Sequence, residues 1–353
     1  MTVLKLGSLF DGIGVFPLAA VHCGIEPVWA SEIEARPISI TRRHFPDMLH
    51  LGDITKISGA EVPPVDVITF GSPCQDLSQI GTRNGFAGQK SSLFYQAMRI
   101  IEEMRYATNG RYPAFCIWEN VAGAFSSNDR LDFAAMLRAF TGAEVSVPPR
   151  GWAHAGMVRG GYADTAWRLL DAQYWGEPAL VQRRKRVFVV ADFAGQRAGE
   201  VLFKPRTVLP FSAIGSSGGL PATARGGVST AQTGRQVPIV RPFSLRRMRT
   251  MAQVGDRKGF CASFGRGGEP FPTLLASVTA PFSFWYEGEE PDGFLRVLTP
   301  LECERLMGLP ENWTKYGCKD EEISDHARYR ALGNSIALPC AEYVMAGIAE
   351  VMN

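Results

Sequence analysis

Cysteine is scarce and irregularly placed in this chain: its seven cysteines form no C-x-x-C pair and follow no regular spacing. This pattern argues against a metal site and a disulfide framework, and it is typical of reduced thiols in an intracellular protein. The sequence also lacks an apolar run of the about 18 residues that a membrane-spanning helix requires. No basic segment precedes an apolar run at the start, so we expect no signal peptide and a cytoplasmic location.

The chain also lacks a large excess of charge of either sign, since its 37 Lys and Arg residues and 35 Asp and Glu residues give a net charge of +2. The whole-chain charge therefore neither requires nor excludes a nucleic-acid partner. Hydrophobic residues make up 46% of the chain and charged residues 20%, as in ordinary globular proteins. The 353 residues are enough for a large domain and a smaller one.

Residues 1–200 alternate between short apolar runs and helix-like segments. The runs that predict buried strands are 3–10, 27–30, 65–70, 114–118 and 186–191. The segments that predict helices between them are 15–23 and 38–44. Strands and helices in this order predict an α/β fold with a mostly parallel sheet wrapped by helices. Helical patterning returns after residue 295: Thr299 and Pro300 predict a helix start, and a last helix is expected from about 338 to 351.

The composition changes near residue 200. From 201 to 282 Gly, Ser, Thr and Pro dominate, and eleven basic residues stand against two acidic ones, a net charge of +9. The rest of the chain therefore carries about −7. A basic, loop-rich module on an acidic α/β body favours a surface that binds a polyanion. A flexible insertion with solvated arginines would produce the same pattern.

Polar features follow three successive predicted strands. Phe10-Asp11-Gly12-Ile13-Gly14 forms a glycine turn between a strand and a helix, which is typical of a nucleotide-type cofactor site. Glu32 follows the next strand, about twenty residues on, where an acid can bind a ribose. Asp53 follows the third. Each alone is as well explained by a structural turn or a helix cap, but together they predict a cofactor site.

Three further segments carry candidate chemistry. Cys74 follows Pro73 in a turn after a buried strand, at the edge where cofactors bind in open α/β sheets. Glu119 ends another buried strand, where burial would keep its carboxyl group partly protonated. Gln182, Arg184 and Arg186 would share one face of a strand. A buried cysteine, a capping acid and a solvated charge cluster are the structural explanations of the same residues.

The ordered set of these motifs resembles the DNA (cytosine-5)-methyltransferase family over almost the whole chain apart from the basic module. The segments that carry the resemblance are 10–14, 73–75, 119–121, 182–186, 296–310 and 330–339. The resemblance implies a Rossmann-like class I methyltransferase domain and a smaller, loop-rich, β-containing target-recognition domain. The expected boundaries are 1–200 for the catalytic domain, 201–313 for recognition, and 314–353 for a segment that returns to the catalytic domain.

The resemblance also implies a mechanism, in which the methyl group of S-adenosylmethionine is transferred to C5 of a flipped cytosine. Cys74 would add to C6 and Glu119 would hydrogen-bond N3 and the exocyclic amine. Arg184 would contact the cytosine or orient the pocket, with Arg186 in support, and Asn120 would brace the Cys74 loop. The implied cofactor residues are Phe10, Asp11, Gly12, Gly14, Glu32, Ile33, Asp53, Ile54, Pro73, Leu93, Asn334 and Ser335.

The implied partner is double-stranded DNA, with the protein acting as a monomer, without a metal and away from membranes. A restriction endonuclease that cleaves the same site is an open further partner. The candidate DNA-binding residues are Gln75, Ser78, Arg241, Arg246, Arg247, Arg249 and Thr273. Thr273 belongs to a Thr-Leu pair that resembles the family's short recognition signature.

The chain departs from the family pattern in three places. Residues 179–181 intervene before Gln182, which weakens the assignment of that residue. Ile33 stands where an aromatic residue often stacks on adenine. The stretch 151–166 has no counterpart in the short family pattern, and both a surface loop and an extra DNA contact remain open for it.

Three other functions compete with this interpretation. An RNA (tRNA) cytosine-5 methyltransferase would have the same fold. A catalytically silent homologue would have the same DNA-binding surface without the activity. A nicotinamide-dependent dehydrogenase would explain the first glycine turn but not Cys74, Glu119 or the C-terminal motif.

Overall fold

The computed structural model describes residues 3–72, 93–204, 271, 273–274 and 297–353, and the backbone alone of 239–242, 282–286 and 294–296. In the described residues one large sheet contains β1 (Lys5–Leu9), β2 (Glu26–Ser31), β3 (Leu49–His50), β4 (Val67–Phe70), β5 (Phe115–Val121), β6 (Ala155–Arg159), β7 (Asp164–Asp171) and β8 (Lys185–Asp192). A small antiparallel sheet contains β9 (Ile239–Pro242), β10 (Phe282–Tyr286) and β11 (Phe294–Val297).

The strand order of the large sheet is β3-β2-β1-β4-β5-β8-β7-β6. The first five strands are parallel, whereas β5-β8, β8-β7 and β7-β6 are antiparallel. The prediction of an α/β fold with a mostly parallel sheet is thus confirmed. The chain moves outward from β1 to β3 and then returns to β4 on the other side of β1. This reversal opens a crevice at the carboxyl ends of β1 and β4, where ligands bind in such sheets.

Helices cover both faces of the large sheet because its central strands are buried on both sides. The helices in chain order are α1 (Val15–His22), α2 (Ala35–His44), α3 (Leu93–Ala107), α4 (Leu131–Thr141), α5 (Ala198–Leu202), α6 (Pro300–Leu306), α7 (Asp325–Asn334) and α8 (Leu338–Met352). Side chains of α1, α5 and α8 share one buried cluster with β1 and β8. Side chains of α3 and α4 fill the opposite cluster with β4 and β5.

The antiparallel pairing of β5 and β8 brings two distant segments to one edge. Val121, the last residue of β5, lies opposite Arg186 near the start of β8. The carboxyl end of β5 and the amino end of β8 therefore meet at the edge where β1, β2 and β4 also end. We call this the catalytic edge.

The stretch 151–166 supplies the outer part of the sheet. It contains the edge strand β6 and the start of β7, which pair as an antiparallel hairpin with Ala155 opposite Arg168. Because β6 runs away from the catalytic edge, the residues that precede it lie towards that edge. The sequence pattern missed β6 because it alternates exposed and half-buried residues instead of forming an apolar run.

The C-terminal segment packs in the same cluster as the N-terminal helix, since Val344, Met345 and Ile348 of α8 join the core around α1. The predicted helix start is confirmed: Thr299 Oγ1 accepts from the Glu302 N–H at 3.3 Å, and Glu302 Oε2 accepts from the Thr299 N–H at 2.8 Å.

The segment 298–313 also lies in this large core, because Trp313 Nε1 donates to the Ile13 carbonyl at 2.8 Å. Residues of this segment, which the sequence analysis assigned to the 201–313 domain, thus contribute side chains to the core beside the large sheet. Of the described helices, none alone is long and apolar enough to cross a membrane, and the bent pair α7–α8 reaches that length and composition only when taken together.

Candidate active site at the carboxyl ends of the sheet

The glycine turn after β1 leaves an open space at the crevice. Gly12 and Gly14 have positive φ angles of 58° and 78°, a region that glycine adopts without steric penalty. A Cβ atom added at Gly12 would meet nothing within 4 Å. Phe10 also has a positive φ, 54°, which costs energy in a residue with a side chain. The turn can therefore admit a ligand close to its backbone.

Glu32 joins the ends of β1 and β2. Its Oε2 accepts from the Gly12 N–H at 2.9 Å, and its Oε1 accepts from the N–H groups of Ile33 and Glu34 at 2.7 and 2.9 Å. The Ile33 side chain, 72% exposed, offers an apolar surface beside it. These two residues lie where the sequence predicted a ribose-binding acid and an apolar adenine contact.

The turn after β3 is arranged differently from the expectation. Asp53 accepts from the Thr55 N–H at 3.0 Å and from the Thr55 hydroxyl at 2.8 Å. These hydrogen bonds lower the pKa of Asp53. Ile54 is 4% exposed, and its side chain packs in the α3–α4 cluster, which anchors the turn to the core. Leu93 begins α3 and packs against the same cluster.

Asp11 has a hydrogen-bonding atom without a partner. Its Oδ1 accepts from the Ser8 hydroxyl at 2.6 Å, whereas its buried Oδ2 has no hydrogen-bond partner among the described residues. Burial raises the pKa of Asp11 from 3.8 to about 7, against the lowering effect of Ser8 and with a smaller rise from Glu32. Sequence reasoning missed Ser8, although a serine inside a buried strand was a usable signal. An unpaired carboxyl oxygen beside an open glycine turn fits a cationic or hydrogen-donating ligand.

We expect Asp11→Asn to stabilise the cofactor-free protein at pH 8. A carboxyl group whose folded-state pKa is raised contributes full stability below its unfolded value of 3.8, and this stability is lost as the pH rises through about 7. Removing the buried charge should raise the free energy of unfolding by roughly 2–4 kcal/mol at pH 8. Urea unfolding between pH 4 and pH 8 measures this effect.

Asp53→Asn is the matched control for Asp11→Asn. Its pKa is lowered, so Asp53 stabilises the fold above its unfolded pKa and the Asn variant should change stability in the opposite direction. If the free energy of unfolding depended on pH equally in wild type and in Asp11→Asn, the inference that Asp11 carries a buried charge would be contradicted.

The structure ends its description of this edge at Ser72, and Pro73, Cys74, Gln75 and Ser78 lie outside the described residues. Ser72 is nevertheless fixed from β5. Its carbonyl accepts from Asn120 Nδ2 at 2.9 Å, and its hydroxyl accepts from Trp118 Nε1 at 3.1 Å. Asn120 Oδ1 in turn accepts from the Val121 N–H at 2.8 Å. Asn120 therefore holds the backbone at Ser72, the residue that precedes Pro73 and Cys74 in the sequence.

Glu119 and Arg186 form the polar centre of the catalytic edge. Arg186 Nε lies 3.0 Å from Glu119 Oε1, and the two side chains are only 13% and 12% exposed. Glu119 Oε1 accepts no well-aligned hydrogen bond from the protein. Burial raises the pKa of Glu119, although the guanidinium groups of Arg186 and Arg184 counteract part of the rise. A Cβ atom at Gly71 would lie 3.1 Å from Glu119 Oε2, so glycine there leaves room for the carboxyl group.

Arg184 is enclosed by backbone carbonyl groups. It is 1% exposed, and its guanidinium donates to the carbonyls of Leu274 and Gly333 at 2.9 Å each and to that of Ser335. A guanidinium enclosed in this way is not presented to a base. The geometry therefore replaces the first of the two roles considered for Arg184, contact with cytosine, by the second, orientation of the pocket. Arg186 is the arginine that contacts Glu119.

The remaining predicted residues are placed around Arg184. Thr273 donates its hydroxyl to the Arg183 carbonyl at 2.6 Å, and Leu274 is buried. Gln182 is fully buried with both amide atoms unpaired. Asn334 is exposed at the end of α7, and Ser335 follows it. The backbone of Arg241 lies in β9 and its side chain is not described, while Arg246, Arg247 and Arg249 lie outside the described residues.

The sequence of the chain is similar to sequences of known proteins. The sequence matches the model of the C-5 cytosine-specific DNA methylase family over residues 4–201 and 248–350. It is 24% identical to a protein of Escherichia phage P1 named DNA N-6-adenine-methyltransferase over 98% of this chain, which spans 61% of that relative's length. It is 26% identical to the type II methyltransferase M1.ScrFI of Lactococcus lactis, over 99% of this chain and 78% of the relative.

The solved structure of the S. pombe Dnmt2 methyltransferase shares the fold, with a TM-score of 0.60 at 15% identity over 99% of each chain. The family match includes the glycine turn, the Glu119–Arg186 pair, the Arg184 contacts and the last two helices, and it leaves out 202–247 within the basic module. The two matched ranges together cover most of the sequence, and the chain therefore belongs to the C-5 cytosine-specific DNA methylase family.

Proposed function

We propose that this protein transfers a methyl group from S-adenosylmethionine to C5 of cytosine within a specific sequence of double-stranded DNA. The observation that carries the proposal is the buried Glu119–Arg186 pair beside Gly71, three residues before Cys74 in the chain. The pair supplies a carboxyl group with a raised pKa, and Cys74 follows in sequence; a carboxyl group and a thiol are the two groups that activation of a cytosine ring requires.

The residues present fit S-adenosylmethionine. The open space at Gly12 admits it, Glu32 binds its ribose, Ile33 covers its adenine, and the free Oδ2 of Asp11 receives a hydrogen-bond donor. Asn334 and Ser335 border the pocket from the C-terminal side. When bound, this cofactor supplies an electrophilic methyl group on a sulfonium. The protein aligns C5 of the base with that group and excludes water from the crevice.

The reaction itself follows from the weak nucleophilicity of C5. Cys74 adds its thiolate to C6, and Glu119 donates a proton or hydrogen bond at N3 as the ring accepts electrons. The resulting enamine carries electron density at C5, the atom that would accept the methyl group. The S–CH3 bond of the sulfonium would break at the same time, and its electron pair would stay on the sulfur of the second product, S-adenosylhomocysteine. Loss of the C5 proton to a base and departure of the Cys74 thiolate then restore the aromatic ring. Arg186 holds the Glu119 carboxyl group in place throughout.

A cytosine within a duplex cannot reach Glu119, so the base must leave the stack before it reacts. We assign the DNA-holding role to the basic module that begins near residue 201. Phosphate contacts would come from its arginines and sequence recognition from a few side chains at base edges. Arg184 joins this module to the catalytic edge through the Leu274 carbonyl.

The experiment that tests the function is methyl transfer from labelled S-adenosylmethionine to unmethylated genomic DNA, followed by nucleoside analysis and bisulfite sequencing. The expected result is 5-methylcytosine within one short sequence context. Label on adenine would contradict the proposal in favour of the activity named for the phage P1 relative. Label on tRNA but not on DNA would establish the RNA enzyme, and cofactor binding without transfer to either would establish a silent homologue.

Glu119→Gln is expected to lower kcat by about 10²- to 10⁴-fold while leaving cofactor affinity within twofold of wild type. The amide keeps the size of the side chain but cannot transfer a proton to N3, and the cofactor pocket lies at the ends of other strands. Single-turnover methylation and calorimetric cofactor titration measure the two quantities. Glu144→Gln, at a 99% exposed side chain, is the control that should change neither. Full activity in Glu119→Gln would remove the carboxyl group from the mechanism.

A further inference from the structure

A loop with an unusual backbone follows the Glu119 strand. Asn128, Asp129 and Arg130 have φ angles of 48°, 52° and 73°, all in the left-handed region that residues with side chains adopt at a cost. Ser127 Oγ and Asn128 Nδ2 donate to the buried Asp132 carboxylate at 2.5 and 3.0 Å. The loop is therefore held in one strained conformation, which fixes the position of Arg130.

Residues of the 151–166 stretch secure Arg130 from the other side. Trp152 Nε1 donates to the Arg130 carbonyl at 3.0 Å, and the Trp152 ring packs on Phe133 at 5.0 Å between ring centres. A Cβ atom added at Gly151 would lie 3.3 Å from the Arg130 guanidinium carbon, so this guanidinium lies against the Gly151 backbone. The side chains of Arg130 and Arg150 remain exposed.

These cations lie at the catalytic edge on the α4 face of the sheet. Val187 and Val189 of β8 pack beneath α4, and alternation along the strand places Lys185 on the same face at its start. Arg130 directly precedes α4, and Arg150 and His154 precede β6, whose first residues lie towards this edge. We call Arg130, Arg150, His154 and Lys185 the α4-side ridge.

The ridge cations have no carboxylate partner, unlike their neighbours. In the described part of the chain no carboxylate lies within 4.0 Å of the charged nitrogens of Arg130, Arg150 or Lys185. Arg138 and Arg159, on the adjoining elements, pair with Glu144 and Asp164 at 4.0 and 3.3 Å. Exposed cations held rigidly without acidic partners present their charge to an outside anion.

We propose that the α4-side ridge binds the phosphate backbone of duplex DNA, opposite the recognition module. The inference rests on the proposed function, because it deepens how the same edge holds its substrate. The opposite face of the sheet carries Glu119, Arg186 and the contact between Arg184 and Leu274. DNA placed over Glu119 would therefore be contacted from both faces. The 151–166 stretch thereby acquires a role as an additional DNA contact.

Arg130→Gly separates this role from a structural one. Glycine adopts a φ of 73° without strain, so the variant should fold with unchanged or higher thermal stability. Its affinity for DNA should fall by about 3- to 10-fold, and the slope of log affinity against log salt should become shallower by about 1. The measurement is fluorescence anisotropy of the full chain with a labelled random-sequence duplex at several salt concentrations.

Arg150→Ala is the second variant, because the Arg150 side chain is exposed, and it should show the same loss. Arg111→Ala is the matched control: this exposed arginine precedes β5 at the opposite edge and should leave DNA affinity unchanged. Cofactor affinity should equal wild type in every variant, because none of the residues changed belongs to the proposed cofactor site. That pattern would establish the ridge as a binding surface.

Wild-type affinity and salt slope in Arg130→Gly and Arg150→Ala would overturn the proposal, as would an equal loss in Arg111→Ala. A wild-type protein that binds structured RNA but not duplex DNA would overturn it as well. Binding is measured without methyl transfer, so a protein that binds DNA through the ridge but methylates nothing would contradict the proposed function and not the ridge.

Discussion

Replacing Cys74 with alanine is expected to abolish methyl transfer, by on the order of 10⁴-fold or more, while cofactor binding survives. The reason is chemical: without a thiolate at C6, C5 of cytosine stays too weak a nucleophile to accept the methyl group. The cofactor contacts proposed for Gly12, Glu32 and Ile33 do not involve Cys74. Single-turnover methylation of genomic DNA and calorimetric cofactor titration measure the two effects.

A covalent trap makes the Cys74 prediction sharper. DNA in which 5-fluorocytosine replaces cytosine cannot lose a C5 proton, so the adduct at C6 should persist after the methyl group has been transferred. Wild type should then form a complex with DNA that survives a denaturing gel, and Cys74→Ala should not. Cys318→Ala, at an exposed cysteine, is the control and should behave as wild type. Normal turnover in Cys74→Ala, or a trapped complex with it, would exclude Cys74 as the nucleophile.

The second large effect is expected from Arg184→Ala. Its guanidinium donates to the carbonyl groups of three residues in two distant segments, Leu274 in one and Gly333 and Ser335 in the other. Truncation leaves these acceptors buried without a donor, so we expect unfolding free energy to fall by about 3–5 kcal/mol. For a chain of 353 residues that corresponds to a fall in Tm of roughly 4–7 °C. Differential scanning calorimetry measures it.

Arg183→Ala is the control for this prediction. Arg183 is the exposed neighbour of Arg184, and removing its side chain should change stability by less than about 0.5 kcal/mol. Arg184→Lys should fall between the two, since an ammonium keeps the charge but cannot reach three carbonyls with a planar fork. An Arg184→Ala protein as stable as Arg183→Ala would show that the three contacts add nothing to the fold.

The strands and the glycine turn could be predicted because their signals are local. A buried strand is a short apolar run and a tight turn needs glycine, so β1, β4, β5 and β8 were found to within a few residues. The helix start at Thr299 was equally local, since its capping interactions span three residues. The strand β6 was missed because an edge strand exposed on alternate residues carries no apolar run.

Residue roles at the site were less predictable because they depend on contacts across the chain. Arg184 and Arg186 lie two apart on one strand and share one face, so their pattern cannot tell which guanidinium reaches Glu119. The answer depends on segments about 90 and 150 residues later, whose carbonyls enclose Arg184. The charge state of Asp11 likewise depends on its burial.

The sequence by itself determined the α/β class, the order of the motifs and the residue types available for chemistry, because these follow from local patterns of apolar and turn-forming residues. Only the tertiary structure decided that Arg186 pairs with Glu119, that Arg184 joins three segments, and that Arg130 stands unpaired on a strained loop. The physical reason is that pairing, burial and pKa depend on neighbours in space, and the sheet brings those neighbours together from opposite ends of the chain.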